Sequence, residues 1–293
     1  MSTLREVAEL SAELSDEDYG VLRSLARLLG LRRHAPVSLV SAMAGLTEKE
    51  AERSLRKLGS LRLVSRGPAG YSLLYAGLDA LSLHELRSRG QLDALGTPIA
   101  MGKESDVYSG ISGSREVAVK AYRIGRVSFR RVKRLRVYGP QAREWMLASI
   151  RSAAAEFRNL RRLSSASLPV PEPLAVRYHV LVMERLNGVL LRYVRDVPDP
   201  RGLLAEVLGA VRRCYLEGGL VNSDLSEFNV IVGREGVILI DWPQSLDARS
   251  PGAERFMERD VNNLVSFFSK RFGLRVDARA ALEYALGLRA DCC

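Results

Sequence analysis

The stretch VNSDLSEFN at residues 221–229 contains the side chains best suited to chemistry. Asp224 precedes Asn229 by five positions, and Asp241 follows Asn229 by twelve, at the end of an apolar run. Carboxylate and amide oxygens bind Mg²⁺, and phosphoryl transfer needs a held metal and one carboxylate near the attacking group. We interpret Asp224 as that carboxylate, and Asn229 and Asp241 as metal ligands. The alternative is a polar turn between two buried strands, since Asp, Ser and Asn are ordinary turn residues.

A second group of residues is suited to binding phosphate. The alternating run VAVK ends at Lys120, and it follows a loop that contains Gly102. A strand lysine after a glycine-containing loop is how kinases contact the α- and β-phosphates. The loop is not a Walker A motif, because Glu104 separates Lys103 from Ser105. Its backbone amides, the Lys103 ammonium and the Ser105 hydroxyl could still cradle phosphate oxygens.

Composition predicts a two-domain protein of a reducing compartment. A length of 293 residues favours two domains. The formal charge of +10 favours a polyanionic partner, with solubility alone as the alternative. Three cysteines without framework spacing favour a reducing compartment. The first residues lack the apolar segment of a signal peptide, and no run is long enough to span a bilayer, so we expect a cytoplasmic protein without a membrane partner.

Residues 1–90 are predicted to form a winged helix-turn-helix domain. Ser15 starts one helix, Pro36 a second and Thr47 a third, in which Glu50 completes a capping box. Two strand-like runs joined by a turn at residues 67–70 then form the wing. The basic side chains of the third helix and the wing are candidate nucleic-acid contacts, namely Lys49, Arg53, Arg56, Lys57, Arg62 and Arg66. A solvated face used for protein contacts is the alternative.

A linker is predicted before the second domain, which covers residues 91–293. Residues 80–92 form a connecting helix, and strands begin at residue 99. The linker is marked by Gly90, Gly96, Thr97 and Pro98. Residues 123–136 are so densely basic that we expect a mobile loop, in which Ser128 is the lone serine.

Further elements complete the predicted second domain. A long helix at residues 144–163 carries Glu156, which is placed to pair with Lys120. A later helix carries Asp260, which is expected to accept hydrogen bonds from backbone amides of the 221–229 stretch. An apolar strand runs into a hinge-like segment whose backbone can pair with an adenine edge, formed by Met183, Glu184 and Leu186.

These pieces, in this order, resemble the RIO family of atypical protein kinases, in the subfamily with an N-terminal winged helix. The strings that carry the resemblance are GKESDVY (102–108), VAVK (117–120), SFRRVK, AEFRNL (155–160), LVMERLNG, DLSEFN (224–229), IDWPQ (240–244) and RDVNNLVSFFSKRF. The resemblance implies an α+β fold in which the winged helix precedes a trimmed, two-lobed kinase-like domain. Its N-lobe would cover about 97–183, its hinge about 184–188 and its C-lobe about 189–293.

The resemblance also implies an ATP-dependent serine/threonine protein kinase or ATPase that uses Mg²⁺ or Mn²⁺. Lys120 would contact the phosphates and pair with Glu156, and Asp224 would be the catalytic aspartate. Asn229 and Asp241 would bind the metal, and Asp241 would also accept a transient phosphate. Nucleotide contacts are implied for Gly102, Lys103, Glu104, Ser105, Val107, Lys120, Glu156, Met183, Glu184 and Leu186. The family acts on precursors of the small ribosomal subunit and their rRNA, which are therefore the implied partners of a chain that we expect to be monomeric.

The chain departs from the family pattern in three ways. Asn222-Ser223 stands where His-Gly is usual, and Trp242 stands where Phe is commoner. Every oxygen ligand stays in place, so we expect these changes to affect loop packing and rate. The chain ends soon after its last helices, which favours an archaeal source.

The interval between Asp241 and Arg259 leaves no room for a full activation loop and contains no A-P-E motif. That segment normally helps to build the platform for a peptide substrate. We therefore expect slow ATP hydrolysis or autophosphorylation coupled to binding and release of a ribosomal particle. Ser128 is the candidate autophosphorylation site.

Two other functions fit parts of the sequence. The first is an assembly factor that binds nucleotide without turnover, but the intact set of Lys120, Glu156, Asp224, Asn229 and Asp241 argues against it. The second is a small-molecule phosphotransferase of the aminoglycoside-kinase kind, for which the winged helix and the basic loop have no use.

Overall fold

The chain divides into two compact units in a computed structural model that describes residues 3–125 and 141–292. Unit 1 comprises Met1–Ala154 and Leu174–Met183, and unit 2 comprises Ala155–Pro173 and Glu184–Cys293. Both units mix helices with β-sheet, as the predicted α+β class requires. Within the described ranges, no helix is long and apolar enough to cross a bilayer.

The first part of unit 1 is helical and ends in a hairpin and one more helix. Its elements are α1 (Leu4–Leu10), α2 (Asp16–Leu28), α3 (Val37–Ala44), α4 (Glu48–Ser60), β1 (Val64–Gly67), β2 (Gly70–Leu73) and α5 (Tyr75–Ser88). The three predicted helices correspond to α2, α3 and α4, and the predicted wing corresponds to the β1–β2 hairpin. The helix α1 was not predicted from the sequence, so the predicted third helix is the fourth in the chain.

Side chains that cap the first amide groups fix where these helices begin. Ser15 and Thr47 each accept a hydrogen bond from the third residue of the following helix, and Asp18 and Glu50 close capping boxes. The predicted apolar face of α4 is fully buried and consists of Ala51, Leu55 and Leu58. The capping box predicted for Thr47 and the cap predicted at Ser15 are therefore confirmed, and the cap at Ser15 is also a capping box.

The turn of the wing depends on a glycine. Gly70 has a φ of +120°, and a Cβ at this position would overlap the carbonyl oxygen of Ala35. That oxygen accepts a 2.9 Å hydrogen bond from the Tyr71 amide. Gly70 thus allows the hairpin to pair with the segment before α3.

The helix α5 corrects a predicted boundary. It starts at Tyr75 and ends at Ser88, whereas the sequence predicted a connecting helix at residues 80–92. The helix is buried on nearly every side, so no apolar period marks where it starts. Leu78 packs into the core of the helical part, and Leu86 packs into the core beneath the sheet that follows.

A five-stranded sheet forms the second part of unit 1, with the strand order β3-β4-β5-β7-β6. The strands are β3 (Ala94–Met101), β4 (Ser105–Ser112), β5 (Arg115–Tyr122), β6 (Pro173–Arg177) and β7 (Val180–Glu184). Leu4 of α1 shares an apolar core with Tyr108, Val117 and Val119 of the sheet. The N-terminal helices and the sheet are therefore one packed body within unit 1.

The predicted linker at Gly96-Thr97-Pro98 is wrong, because these residues lie inside β3. Hydrogen bonding to β4 imposes the strand despite the turn-forming residue types. Pro98 is tolerated since β3 is an edge strand, and the register shifts on both sides of it.

Unit 2 is mostly helical and contains two small sheets. Its helices are the later part of α6 (Gln141–Ser164), α7 (Pro200–Leu216), α8 (Ala253–Phe272) and α9 (Ala278–Ala285). One sheet has the order β11-β10-β8, and the other pairs β12 with β9. The strands are β8 (Val189–Leu190), β9 (Leu220–Val221), β10 (Val230–Val232), β11 (Val237–Leu239) and β12 (Leu246–Asp247). The predicted buried face of α7 is confirmed, with Leu204, Val207, Leu208 and Val211 in the core.

Residues 242–252 are the whole connection between Asp241 and α8, and part of this segment pairs as β12 with β9. The pairing draws the chain back towards the strand that precedes Asn222. This connection is therefore too short for a full activation loop, as predicted from the sequence.

Candidate active site

The β10–β11 hairpin brings the two predicted metal ligands of unit 2 to the same edge. Val230 pairs with Leu239, so Asn229 lies just before one strand and Asp241 just after the other. The ends of two antiparallel neighbours meet at one edge of their sheet. The amide of Ile240 donates to the Asn229 carbonyl at 2.9 Å, which extends the pairing by one further bond.

The third predicted residue, Asp224, is tied to Asn229 directly. The Nδ2 of Asn229 donates to the Asp224 carbonyl oxygen at 2.9 Å. Since this bond uses the nitrogen of the side chain, Oδ1 is the atom that Asn229 can offer to a cation. The Asp224 side chain is exposed, whereas Leu225 beside it is buried and anchors the loop.

Asp241 has an uncommon backbone conformation that neighbouring side chains hold. Its φ is +68°, in the left-handed region that non-glycine residues seldom adopt. Its carbonyl oxygen accepts from Asn222 Nδ2 at 3.0 Å, and the next amide, of Trp242, donates to Glu156 Oε1 at 3.1 Å. Hydrogen bonds at both ends of the peptide group that follows Asp241 therefore fix its orientation.

Trp242 anchors the chain after Asp241 in the interior of unit 2. It is 1% exposed, and its indole Nε1 donates to the Leu239 carbonyl at 3.0 Å. Asn159 Nδ2 donates to the Trp242 carbonyl at 2.8 Å. A phenylalanine has no N–H group on its ring, so Trp242 makes one more hydrogen bond here than the commoner residue would.

Asp260 holds the loop that carries Asp224. Its two carboxylate oxygens accept the backbone amides of Ser223 at 2.8 Å and Leu225 at 3.1 Å. The side chain is 1% exposed. The predicted role of Asp260 as acceptor for these amides is confirmed.

The predicted phosphate-binding residues lie together in unit 1, on β4, β5 and the loop before them. Val107 of β4 is the cross-strand partner of Lys120 on β5. The Gly102 amide donates to the Ser105 carbonyl at 2.8 Å, which closes a tight loop with Lys103 exposed at its tip. Glu104, in the same loop, is also exposed. Lys120 is 5% exposed, and its Nζ lies 4.9 Å from the ring centroid of Tyr122.

The predicted hinge begins at the end of β7, whose last two residues are Met183 and Glu184. The Glu184 amide donates to the Glu172 carbonyl at 2.8 Å. Any adenine contact from Glu184 must therefore use its carbonyl oxygen. Met183 and Leu186 are half-buried on either side of it.

Two family models match the chain. The RIO domain model matches residues 106–281, and the model described as "Rio2, N-terminal" matches residues 11–89. The chain belongs to the RIO kinase family. The family, the winged-helix subfamily and the fold class predicted from the sequence are confirmed, and the chain is an atypical serine/threonine-protein kinase.

Relatives of this RIO kinase come from eukaryotes and archaea. Serine/threonine-protein kinase rio2 of Schizosaccharomyces pombe is 33% identical over 274 residues, which cover 90% of this chain and 79% of the relative. RIO-type serine/threonine-protein kinase Rio2 of Methanocaldococcus jannaschii is 31% identical over 251 residues, covering 82% and 92%. A similar solved structure is the Rio2 kinase-ADP/Mg²⁺-phosphoaspartate complex from Chaetomium thermophilum, with a TM-score of 0.83, 29% identity, and coverage of 97% of this chain and 90% of that one.

Protonation of Asp260 is expected to slow this RIO kinase at acid pH. Burial raises the pKa of Asp260 to about 6, although the amides of Leu225 and Ser223 that donate to it act in the opposite direction. A protonated carboxyl turns one acceptor oxygen into a donor and loses one of the two amide bonds. We expect turnover to fall below a midpoint near pH 6, and an Asp260→Asn variant to be slow throughout without that step.

The raised pKa of Asp260 also makes the free energy of unfolding depend on pH. Because the pKa in the folded state exceeds the ordinary value of 3.8, the folded protein binds this proton more tightly than the unfolded chain. The contribution of Asp260 to the free energy of unfolding therefore falls as pH rises from 3.8 to about 6. Denaturant titrations of the wild type and Asp260→Asn across this range measure it, and parallel pH profiles for the two proteins would contradict the assignment.

A buried charged cluster in unit 1 was missed by the sequence analysis. It consists of Asp79 on α5, Arg123 directly after β5, and His179 in the β6–β7 turn. Arg123 Nη1 and His179 Nε2 both lie 2.7 Å from Asp79 Oδ1. All three side chains are at most 1% exposed. Arg123 is therefore not part of an exposed basic loop, as the run of arginines had led us to expect.

Electrostatics define the protonation states of this cluster. Burial opposes the charge on Asp79, but Arg123 and His179 outweigh that effect and hold the pKa of the carboxyl below its ordinary value. Burial lowers the pKa of His179, so the ring is neutral at pH 7. One buried ion pair, Asp79 with Arg123, thus joins the last N-terminal helix to the end of the Lys120 strand.

The six candidate nucleic-acid cations differ in their surroundings. Lys57 Nζ is 2.6 Å from Asp18 Oδ2, Arg53 pairs with Glu17, and Arg56 with Glu52. The other three side chains are exposed, and the ion pairs found within residues 3–125 and 141–292 do not include them; they are Lys49, Arg62 and Arg66. Lys57 is thus a structural residue as well as a surface cation.

The roles predicted for the individual site residues remain predictions. Ser128 lies outside the described residues. The Lys120–Glu156 ion pair also stays a prediction, and the contact described above for Glu156 is with the Trp242 amide.

Proposed function

We propose that this RIO kinase uses ATP and Mg²⁺ for slow hydrolysis or autophosphorylation, coupled to binding and release of a small ribosomal subunit precursor. The observation that carries the proposal is the arrangement of Asp224, Asn229 and Asp241 at one edge of unit 2, joined through the β10–β11 hairpin and the Asn229–Asp224 bond. The similar Rio2 kinase from Chaetomium thermophilum forms a complex with ADP and Mg²⁺ that contains phosphoaspartate, which supports this reading of the three residues.

The donor set at this edge fits Mg²⁺. In proteins Mg²⁺ usually takes one or two carboxylates as ligands, together with substrate phosphates and several waters. Asn229 Oδ1 and the Asp241 carboxylate supply two hard oxygens of that kind. Bound there, Mg²⁺ would neutralise charge on the phosphates of ATP. Groups of three or more His, Cys, Asp or Glu arranged to hold a metal are not found in the described part of the chain, and such a site is not needed for Mg²⁺.

The remaining residues have separate roles in the proposed reaction. Lys120 would contact the α- and β-phosphates of ATP, and the backbone amides of the Gly102–Ser105 loop would bind phosphate oxygens. The Asp224 carboxylate accepts the proton of an attacking hydroxyl or water. Alternatively an Asp241 oxygen attacks the γ-phosphorus, the bond from that phosphorus to the β-phosphate oxygen breaks, ADP leaves, and water later hydrolyses the acyl phosphate.

The short segment after Asp241 supports an ATPase or autophosphorylation cycle. Residues 242–252 include β12 and the turn into α8, and Trp242 is buried. This segment cannot extend into a long platform for a peptide. A substrate that arrives as part of a large particle would not need one.

The experiment that tests the proposal is Mg²⁺-dependent phosphate release from ATP by the purified protein, with and without small ribosomal subunits. Slow turnover that changes when the particle is added supports the proposal. Mass spectrometry after incubation with ATP reports whether Ser128 or another residue is labelled. ATP binding without turnover under any condition would contradict the proposed function and would indicate a nucleotide-binding assembly factor.

The exposed cations of the N-terminal part are expected to contribute to RNA binding. We expect Lys49→Ala with Arg66→Ala to weaken binding to a ribosomal RNA fragment and to reduce the slope of log affinity against log salt by about 2, since each phosphate contact accounts for about one unit. Binding titrations at several salt concentrations measure this slope. Arg5→Ala with Arg279→Ala, which removes two exposed arginines on α1 and α9, is the matched control. An equal slope in both double variants would indicate that the exposed cations of the N-terminal part serve protein contacts.

A further inference from the structure

The side chain of Asn222 connects the two proposed catalytic aspartates. It is 5% exposed and follows β9 directly. Its Nδ2 donates to the Asp241 carbonyl oxygen at 3.0 Å, and its Oδ1 accepts from the Asp224 amide at 3.2 Å. We infer that Asn222 is a positioning residue that holds Asp224 and Asp241 in one geometry. The inference rests on the proposed phosphoryl transfer, in which these two residues act.

The chemistry of the carboxamide explains why this residue type suits the position. The carbonyl of Asp241 needs a donor and the amide of Asp224 needs an acceptor, and Asn offers both from one rigid planar group. An aspartate would keep the acceptor and lose the donor. An alanine would lose both and leave a part-buried carbonyl unsatisfied.

The bond from Asn222 helps to hold the backbone of Asp241 in an uncommon conformation. Asp241 has a φ of +68°, and two side chains hold the single peptide group that links it to Trp242. Glu156 accepts from the Trp242 amide on one side, and Asn222 donates to the Asp241 carbonyl on the other. Without Asn222 this peptide group loses the bond at its carbonyl end, so the Asp241 carboxylate would have more freedom to rotate away from a bound Mg²⁺.

Ser223 fixes the direction in which Asn222 points. Its φ is also +68°, and all three of its polar groups are bonded. The amide donates to Asp260 at 2.8 Å, the hydroxyl donates to the Gln244 carbonyl at 2.7 Å, and the carbonyl accepts from Arg259. Asn222-Ser223 therefore forms one hydrogen-bonded unit at the place where the family usually has His-Gly.

The test compares Asn222→Ala and Asn222→Asp with the control Asn262→Ala, which removes an exposed asparagine on α8. Two readouts are needed: kcat and KM for ATP in phosphate release, and the Mg²⁺ concentration that half-saturates binding of a fluorescent ADP analogue. We expect both Asn222 variants to lose about 10- to 100-fold in kcat and to need about 10-fold more Mg²⁺, as for residues that orient metal ligands. KM for ATP should change by less than about 3-fold, because the role inferred for Asn222 is to orient the metal ligand Asp241 and not to bind the nucleotide.

Each outcome decides the inference. Wild-type kcat and wild-type Mg²⁺ half-saturation in a folded Asn222→Ala protein would overturn it. If the alanine variant does not fold, Asn222→Asp is the test, since it preserves size and one bond, and an unchanged Mg²⁺ requirement in that variant would equally overturn it. A wild type that binds ADP with Mg²⁺ but shows no turnover refutes the proposed reaction, and the Mg²⁺ binding of the variants still tests the positioning role.

Discussion

Replacement of Asp241 by Asn is expected to lower Mg²⁺-dependent phosphate release from ATP by about 10³-fold or more, equivalent to about 4 kcal/mol of transition-state stabilisation. The substitution removes the negative charge that holds the metal and keeps the size of the side chain. The bonds from Asn222 and to Glu156 involve backbone groups at and after Asp241, so they persist in the variant. Asn also tolerates the φ of +68° found here.

Asp224→Asn is expected to cause a loss of similar size for a different reason. This variant keeps the metal ligands and removes the carboxylate that accepts a proton. We therefore expect Mg²⁺-dependent ADP binding to weaken in Asp241→Asn and to be nearly unchanged in Asp224→Asn. Steady-state phosphate release and ADP titrations measure the two effects.

The control for both variants is Asp196→Asn, which changes an exposed aspartate outside the site. It should retain the rate of the wild type. An Asp241→Asn protein that keeps more than a tenth of wild-type turnover, with an unchanged melting temperature, would exclude Asp241 as a metal ligand in the reaction.

Replacement of Asp79 by Ala is expected to lower the free energy of unfolding by about 3–5 kcal/mol, the cost of leaving a buried charge without its partner. Arg123 and His179 both bond to Asp79 at 2.7 Å, and all three are buried. Loss of the carboxylate would leave the buried guanidinium with Asp106 Oδ2, 3.9 Å from its Nε, as a more distant counter-charge. Denaturant unfolding monitored by circular dichroism gives the change.

The matched control is Glu9→Ala, which breaks the exposed Arg5–Glu9 pair on α1. Its expected effect is below about 0.5 kcal/mol, because exposed ion pairs contribute little. The double variant Asp79→Leu with Arg123→Met removes both charges and should recover much of the stability lost in Asp79→Ala. Equal losses in Asp79→Ala and in the double variant would contradict the ion-pair explanation and point to packing alone.

The position of this ion pair links it to the proposed site. Arg123 follows Tyr122, the last residue of β5, and Lys120 is on the same strand. The Arg123 amide donates to the Glu104 carbonyl at 2.5 Å, so the end of β5 is also fastened to the Gly102–Ser105 loop. Asp79 variants that remain folded should therefore bind ATP more weakly, which nucleotide titrations can measure.

Local features of this protein were determined by the sequence. The capping boxes at Ser15 and Thr47 use side chains three residues from their partners, and the apolar faces of α4 and α7 follow a helical period. The Asp224–Asn229 spacing and the position of Asp241 after an apolar strand were sufficient to predict that these residues lie close together, because a hairpin joins residues that are near in sequence.

Other features were decided by tertiary structure, because they join residues far apart in the chain. Asp79 lies 44 residues from Arg123 and 100 from His179, and no local pattern relates them. The strand through Gly96-Thr97-Pro98 exists because β4 supplies its hydrogen bonds, against the turn preference of those residues. Likewise, sequence identified Asn222 only as an unusual residue. The two bonds that tie it to Asp224 and Asp241 depend on a fold in which the end of β9 and the end of β11 meet.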